Sequence, residues 1–96
     1  MDNEKAIERA LRKAIKQNGG LCIKLLPFEF GGLPDRLCLM PGGIIFFVEV
    51  KTTGEKVRKL QAHVIGKIRN LGFAVYVLDT KEGIKQIIKN YESRKL

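Results

Sequence analysis

Between the turn Pro41-Gly42-Gly43 and the polar segment that begins at Lys51 runs Ile-Ile-Phe-Phe-Val-Glu-Val, residues 44–50. Six of its seven residues are β-branched or aromatic, the side chains that pack best on a pleated surface. An unbroken apolar run of this length reads as a central strand covered on both faces. A helical pattern follows at about residues 58–71, with Leu60, Val64, Ile65, Ile68 and Leu71 as its apolar stripe and Gly72 as its stop. A second short apolar run, Ala74–Leu78, comes next. Strand, helix and strand in this order predict a parallel pair joined by a right-handed crossover.

The remaining elements fit around that unit. Residues 4–17 predict a helix with Ile7, Ala10, Leu11, Ala14 and Ile15 on one face, ended by Gly19-Gly20. Leu21–Phe28 predicts a first strand and 29–35 a loop punctuated by Gly31, Gly32 and Pro34. Arg36–Met40 predicts a second strand, joined to the central one as a hairpin through the Pro-Gly-Gly turn. Thr80 is placed to cap a last helix carrying Ile84, Ile87, Ile88 and Tyr91. The expected fold is α/β in the order αβββαβα, a mixed four-stranded sheet flanked by helices.

Ninety-six residues, 45% of them hydrophobic, suit one small domain over residues 1–96 with a single core. Eighteen Lys and Arg against ten Asp and Glu leave a net charge of +8, which favours a polyanionic partner, nucleic acid first. The basic face of the first helix (Lys5, Arg9, Arg12, Lys13, Lys16) and the run Lys56, Arg58, Lys59 are candidate phosphate contacts, or simply a solvated surface. Lys24 has the same two readings. Cys22 and Cys38 lack metal-knuckle spacing and read as buried free thiols in a reducing compartment. The charged start predicts no signal peptide, and no run is long enough to span a membrane.

The central strand ends by placing Glu49 and Lys51 on the same face, roughly 7 Å apart, with the Val50 carbonyl between them. A carboxylate beside a backbone carbonyl is a pair of hard oxygen ligands suited to Mg²⁺ or Mn²⁺. The neighbouring ammonium can orient a water or neutralise a phosphate. A hairpin centred on Gly42 puts Met40 opposite Ile44 and therefore Asp35 opposite Glu49, about 5 Å away. Asp35 and Glu49 can then share one cation. Glu4 lies about 50° from the centre of the first helix's apolar stripe and Glu8 about 90° from it, so either can approach the sheet, Glu4 more directly. Gln61 is a polar residue inside the apolar arc of the second helix and needs a partner there. His63 and Arg36 point away and receive no catalytic role.

A helix-one glutamate, Gly-Leu-Pro-Asp-Arg at 32–36, Phe-Phe-Val-Glu-Val-Lys-Thr at 46–52 and the helix glutamine, together with the Gly-Gly and Pro-Gly-Gly turns between them, resemble the PD-(D/E)xK nuclease superfamily, and within it the virus-type replication-repair nuclease (VRR-NUC) domain of the stand-alone phage or bacterial type. The resemblance runs from Glu4 to about Leu78. It implies a restriction-endonuclease-like core and a Mg²⁺- or Mn²⁺-dependent endodeoxyribonuclease. By position, Asp35 and Glu49 match the metal-binding acids, Val50 the backbone ligand, Lys51 the catalytic lysine, Gln61 the completing glutamine and Glu4 the helix-one acid, with Glu8 its rival. It implies phosphodiester hydrolysis in branched DNA such as a Holliday junction, by a homodimer in a bacterial or phage-infected cytoplasm, with neither membrane nor small-molecule cofactor. A nickase or restriction-like nuclease and a non-catalytic basic nucleic-acid-binding module are the alternatives.

Overall fold

The structure, a computed structural model, describes residues 2–26 and 28–95. The elements run α1 (Glu4–Gln17), β1 (Leu21–Lys24), β2 (Arg36–Met40), β3 (Ile44–Val50), α2 (Lys59–Asn70), β4 (Ala74–Leu78) and α3 (Gly83–Arg94). The sheet order is β1-β2-β3-β4, antiparallel through the first three strands and parallel between β3 and β4. This is the expected αβββαβα order. Gly42 and Gly43 adopt positive φ of 87° and 73°, the conformation that closes the hairpin without a steric penalty. Met40 pairs with Ile44 and Arg36 with Val48, so the turn sets the register that the count of residues predicts.

One sheet face is covered over its centre by two helices. Phe46, Val48 and Val50 of β3 and Cys38 of β2 pack against Ile7, Leu11 and Ile15 of α1 and Ile84, Ile87 and Tyr91 of α3. Phe46 meets Tyr76 edge to face at 5.5 Å, a favourable aromatic geometry. The N-cap of α3 is Glu82 rather than the expected Thr80, with no side-chain cap bond; the Thr80 hydroxyl instead accepts from the Gly83 N–H in the turn before the helix. No helix among the described residues is long and apolar enough to cross a membrane.

The other face departs from expectation. Ile45 and Phe47 are only half-buried, although the apolar run of β3 reads as covered on both sides. One helix, α2, packs on this face, and it packs against β4 rather than over the whole sheet. Val64 and Ile65 are buried, but Leu60 and Leu71 of the predicted stripe are 58% and 77% exposed. The stripe therefore serves for only two turns. β1 is also shorter than the predicted 21–28, ending at Lys24. The chain beyond it bends, Leu26 and Phe28 are exposed, and Pro27 lies outside the described residues.

Candidate active site

The site forms where β2 begins and β3 ends. Extending the β2–β3 register by one residue sets Asp35 opposite Glu49. There the ladder passes from backbone to side chains. The Asp35 N–H donates to Glu49 Oε1 at 3.1 Å, and the Val50 N–H donates to Asp35 Oδ2 at 3.0 Å. Each strand thus supplies an amide to the other strand's carboxylate, which holds both acids close and on the same side. Pro34, fully buried, fixes the backbone just before Asp35, and the Leu25 N–H holds the Asp35 carbonyl at 2.8 Å from the β1 side.

Lys51 lies on the same side, its Nζ 3.1 Å from Glu49 Oε2. Lys51 is 7% exposed and Glu49 2%. A buried ion pair of this kind is weak support for stability, because desolvating both charges offsets their attraction. The arrangement is better understood as chemical than as structural.

Gln61 reaches the same place from α2. Its Nε2 donates to the Leu33 carbonyl at 3.4 Å, and its Oε1 is buried with no hydrogen-bond partner among the described residues. An orphaned buried acceptor beside two carboxylates marks a position for a group with hydrogens to donate, such as an ordered water. Gly32 makes this approach feasible. A Cβ there would lie 2.8 Å from Val64 Cγ2 and 3.0 Å from the Leu60 carbonyl, and its φ is +83°. Only glycine lets the loop close so tightly on α2.

No family model matches the sequence. Over 79 residues the chain is 37% identical to a protein named "Putative nuclease p44" from Acyrthosiphon pisum secondary endosymbiont phage 1, covering 82% of this chain and 85% of that protein. A solved structure described as a VRR_NUC domain superposes with a TM-score of 0.85 at 29% identity, over 92% of this chain and 96% of that one. The chain belongs to the VRR-NUC family.

The two helix-one acids of this VRR-NUC chain separate clearly. Glu8 forms an ion pair with Arg36 on the opposite, α1-covered side of the sheet. Glu4 sits about one turn earlier, at the start of α1 and about 6 Å back along the axis. Its carboxyl is raised from the usual value by desolvation first, then by Glu55 and Asp35, while Lys51 pulls it down. It therefore feels the site but stands at its margin. Among the described residues no three Asp, Glu, His or Cys side chains converge closely enough to hold an ion, so Glu4 does not join Asp35 and Glu49 in a preformed ligand set.

Residues that the sequence reading passed over hold Glu4 in position. The Asp2 N–H donates to Thr53 Oγ1 at 3.0 Å, the Thr53 N–H donates back to the Asp2 carbonyl, and Asp2 Oδ2 accepts from the Lys81 N–H. The Thr53 hydroxyl also donates to the Asp79 carbonyl at 2.7 Å. Asn3 caps α1 through the Ala6 N–H at 2.8 Å, a signal the sequence did carry: Asn immediately before the first helical residue. Glu55, close enough to Glu4 to raise its carboxyl, had no sequence signal. A cavity of about 310 Å³ opens beside the acids, lined among others by Leu33, Asp35, Arg58 and Gln61. Arg58, an exposed residue, lines it together with Asp35.

The donor set of this VRR-NUC site suits a divalent cation. Burial raises the Glu49 carboxyl, the Asp35 charge raises it further, and Lys51 and Gln61 only partly lower it. Two carboxylates held against their mutual repulsion, beside a backbone carbonyl, are hard oxygen donors. Mg²⁺ commonly takes one or two protein carboxylates and keeps several waters, so a third acid is not required.

Because the folded state raises the Glu49 value, it binds a proton more readily than the unfolded chain. Glu49's contribution to stability is thus fully present below its ordinary value of 4.5 and is lost as pH rises through the raised value. A cation that needs the ionised form should reverse this. Thermal melts are expected to show a Tm gain from Mg²⁺ that grows as pH rises from 4.5 towards neutrality. A gain independent of pH, or absent throughout, would show that Glu49 does not ligate the ion.

Proposed function

We propose that the protein is a divalent-metal-dependent endodeoxyribonuclease that hydrolyses phosphodiester bonds in branched DNA. The observation that supports this best is the reciprocal bracing of Asp35 and Glu49 with the Lys51 ammonium 3.1 Å from Glu49. In this reading Asp35, Glu49 and the Val50 carbonyl would hold Mg²⁺ or Mn²⁺, with Glu4 as a further acid at the margin of the site. The bound ion supplies Lewis-acid polarisation of the phosphate and a lowered pKa for its water.

The chain's own residues do the rest. Lys51 holds the attacking water in line and neutralises charge developing on the phosphate oxygens. The unpartnered Gln61 Oε1 accepts a hydrogen from that water and fixes its orientation. Arg58, which shares the cavity with Asp35 and Gln61, binds a phosphate beside the cut, and the exposed cations of α1 add longer-range attraction for the polyanion. Each chain carries one such site, and resolving a junction requires two cuts, which favours a two-fold homodimer. The sheet face left open beside α2, with Leu21 62%, Phe73 41% and Val77 42% exposed, is the surface a second copy would cover.

The test is a cleavage panel of duplex, flap and four-way-junction DNA with Mg²⁺ or Mn²⁺, run beside sedimentation at micromolar concentration. The junction is expected to be cut fastest, by a dimer. Equal cutting of all three substrates would reject structure selectivity, and a monomer would reject the paired-site arrangement. Binding without cutting in either metal would favour a non-catalytic module.

A further inference from the structure

Cys22 of β1 and Cys38 of β2 are direct cross-strand partners, and both are free thiols. Their spacing follows from the ladder. The Leu25 N–H bonds to the Asp35 carbonyl, which makes 25/35 a hydrogen-bonded pair. Successive pairs alternate, so 22/38, three steps along, is a non-hydrogen-bonded pair, with Cα atoms about 4.5 Å apart and side chains close together. That separation lies inside the range a disulfide spans. Both side chains point to the α1 side, where Cys38 is fully buried and Cys22 is partly exposed. The access route to Cys22 is strongly basic: an open groove of about 510 Å³ is lined by Arg9, Arg12, Lys13 and Lys16 of α1 together with Cys22. Nothing in the proposed cleavage reaction uses either sulfur.

We propose that this pair is a redox-responsive site, in which Cys22 attacks small anionic disulfides drawn into the basic groove and Cys38 resolves the product into a Cys22–Cys38 disulfide. The Cys22 sulfur attacks one sulfur of the incoming disulfide, forms a mixed disulfide and expels one thiolate. Cys38 then loses its proton to solvent, attacks Cys22 Sγ and expels the second thiolate. Two protein thiols and one small disulfide become one protein disulfide and two small thiols. The protein is oxidised by two electrons and the small disulfide is reduced by the same two.

The electrostatics assign the two roles. Cys22 is pushed down to about 7, first by the Cys38 thiol donating to it and then by Arg36 and Arg12, against burial and the Glu8 charge. Cys38 is pushed up by the same contact and by burial. The accessible sulfur is therefore the nucleophile, and the buried one acts only once Cys22 carries the leaving group. The new bond would clamp the edge strand β1 to β2, which leads directly from Asp35.

The test treats the folded protein with glutathione disulfide, an anionic probe, or hydroxyethyl disulfide, a neutral one, and follows intact mass without reductant. Wild type is expected to lose two hydrogens, with a rate half-maximal near pH 7. The anionic probe should react about tenfold faster at low salt, and the difference should vanish at high salt. Cys38→Ser should stop at one glutathionyl adduct and Cys22→Ser should not react. Should Cys38→Ser fail to fold, rapid alkylation of wild type during the reaction captures the same intermediate. First attack at Cys38, no loss of hydrogens in wild type, or equal rates for both probes at low salt would overturn the proposal.

Discussion

Lys51→Met is expected to slow DNA cleavage by on the order of a hundred- to a thousandfold while leaving the protein folded. Methionine keeps the length and the apolar stem of the lysine and removes only the charge. That charge is 7% exposed and lies 3.1 Å from Glu49, where water cannot screen it. Removing one partner of a buried ion pair ordinarily destabilises the fold by leaving the other charge uncompensated; here burial already raises the Glu49 carboxyl, so proton uptake at Glu49 can relieve part of that cost. Cation binding separates the roles. Lys51→Met removes a positive neighbour and should leave the Mg²⁺-dependent Tm gain intact or larger. Asp35→Asn should remove both the Tm gain and the activity, since it withdraws a ligand. Cleavage by Lys51→Met within a few fold of wild type, measured at saturating Mg²⁺, would show that the ammonium takes no part in the reaction.

Phe46→Ala is expected to carry the largest stability loss of any single truncation on β3. The ring is 1% exposed, sits between α1 and α3, and meets Tyr76 edge to face. Its removal should cost about 3–5 kcal/mol, against a total of roughly 5–15 kcal/mol for a domain. For a chain of this size that corresponds to a fall in Tm of roughly 15–30 °C. Its neighbour Phe47 is the control. It faces the half-open side and touches Phe73 at 6.1 Å, so Phe47→Ala should cost about 1 kcal/mol. Equal losses for the two, measured by thermal melts, would mean that the two faces of β3 are wrongly assigned.

The contrast between these neighbouring phenylalanines also marks how far residue order alone can reach. Period-two alternation says that Phe46 and Phe47 face opposite ways, but both are apolar, and nothing local says which side the helices cover. The same holds for α2. Its stripe is a sound helical pattern, yet Leu60 and Leu71 stay exposed because the helix spans only part of the sheet. The Asp35–Glu49 juxtaposition was legible because it depends on counting residues from a two-glycine turn along a regular ladder. Glu4 and Glu8 could not be separated in that way, because both lie near one side of the same helix. Only the fold shows that Arg36, on a strand 28 residues away, takes Glu8 as its partner.

Sequence by itself determined the seven elements, the hairpin register, the meeting of two acids and a lysine at one strand end, and the basic surface. Each of these follows from short-range geometry, where the backbone's period and the turn's length leave few options. Tertiary structure alone decided that one sheet face stays partly open, that Gln61 carries an oxygen with no partner among the described residues, that Glu8 pairs with Arg36 while Glu4 feels Asp35 and Lys51, and that Cys22 and Cys38 meet beside a basic groove. Those outcomes depend on which distant side chains arrive as neighbours and how much water they displace, and no local pattern encodes that.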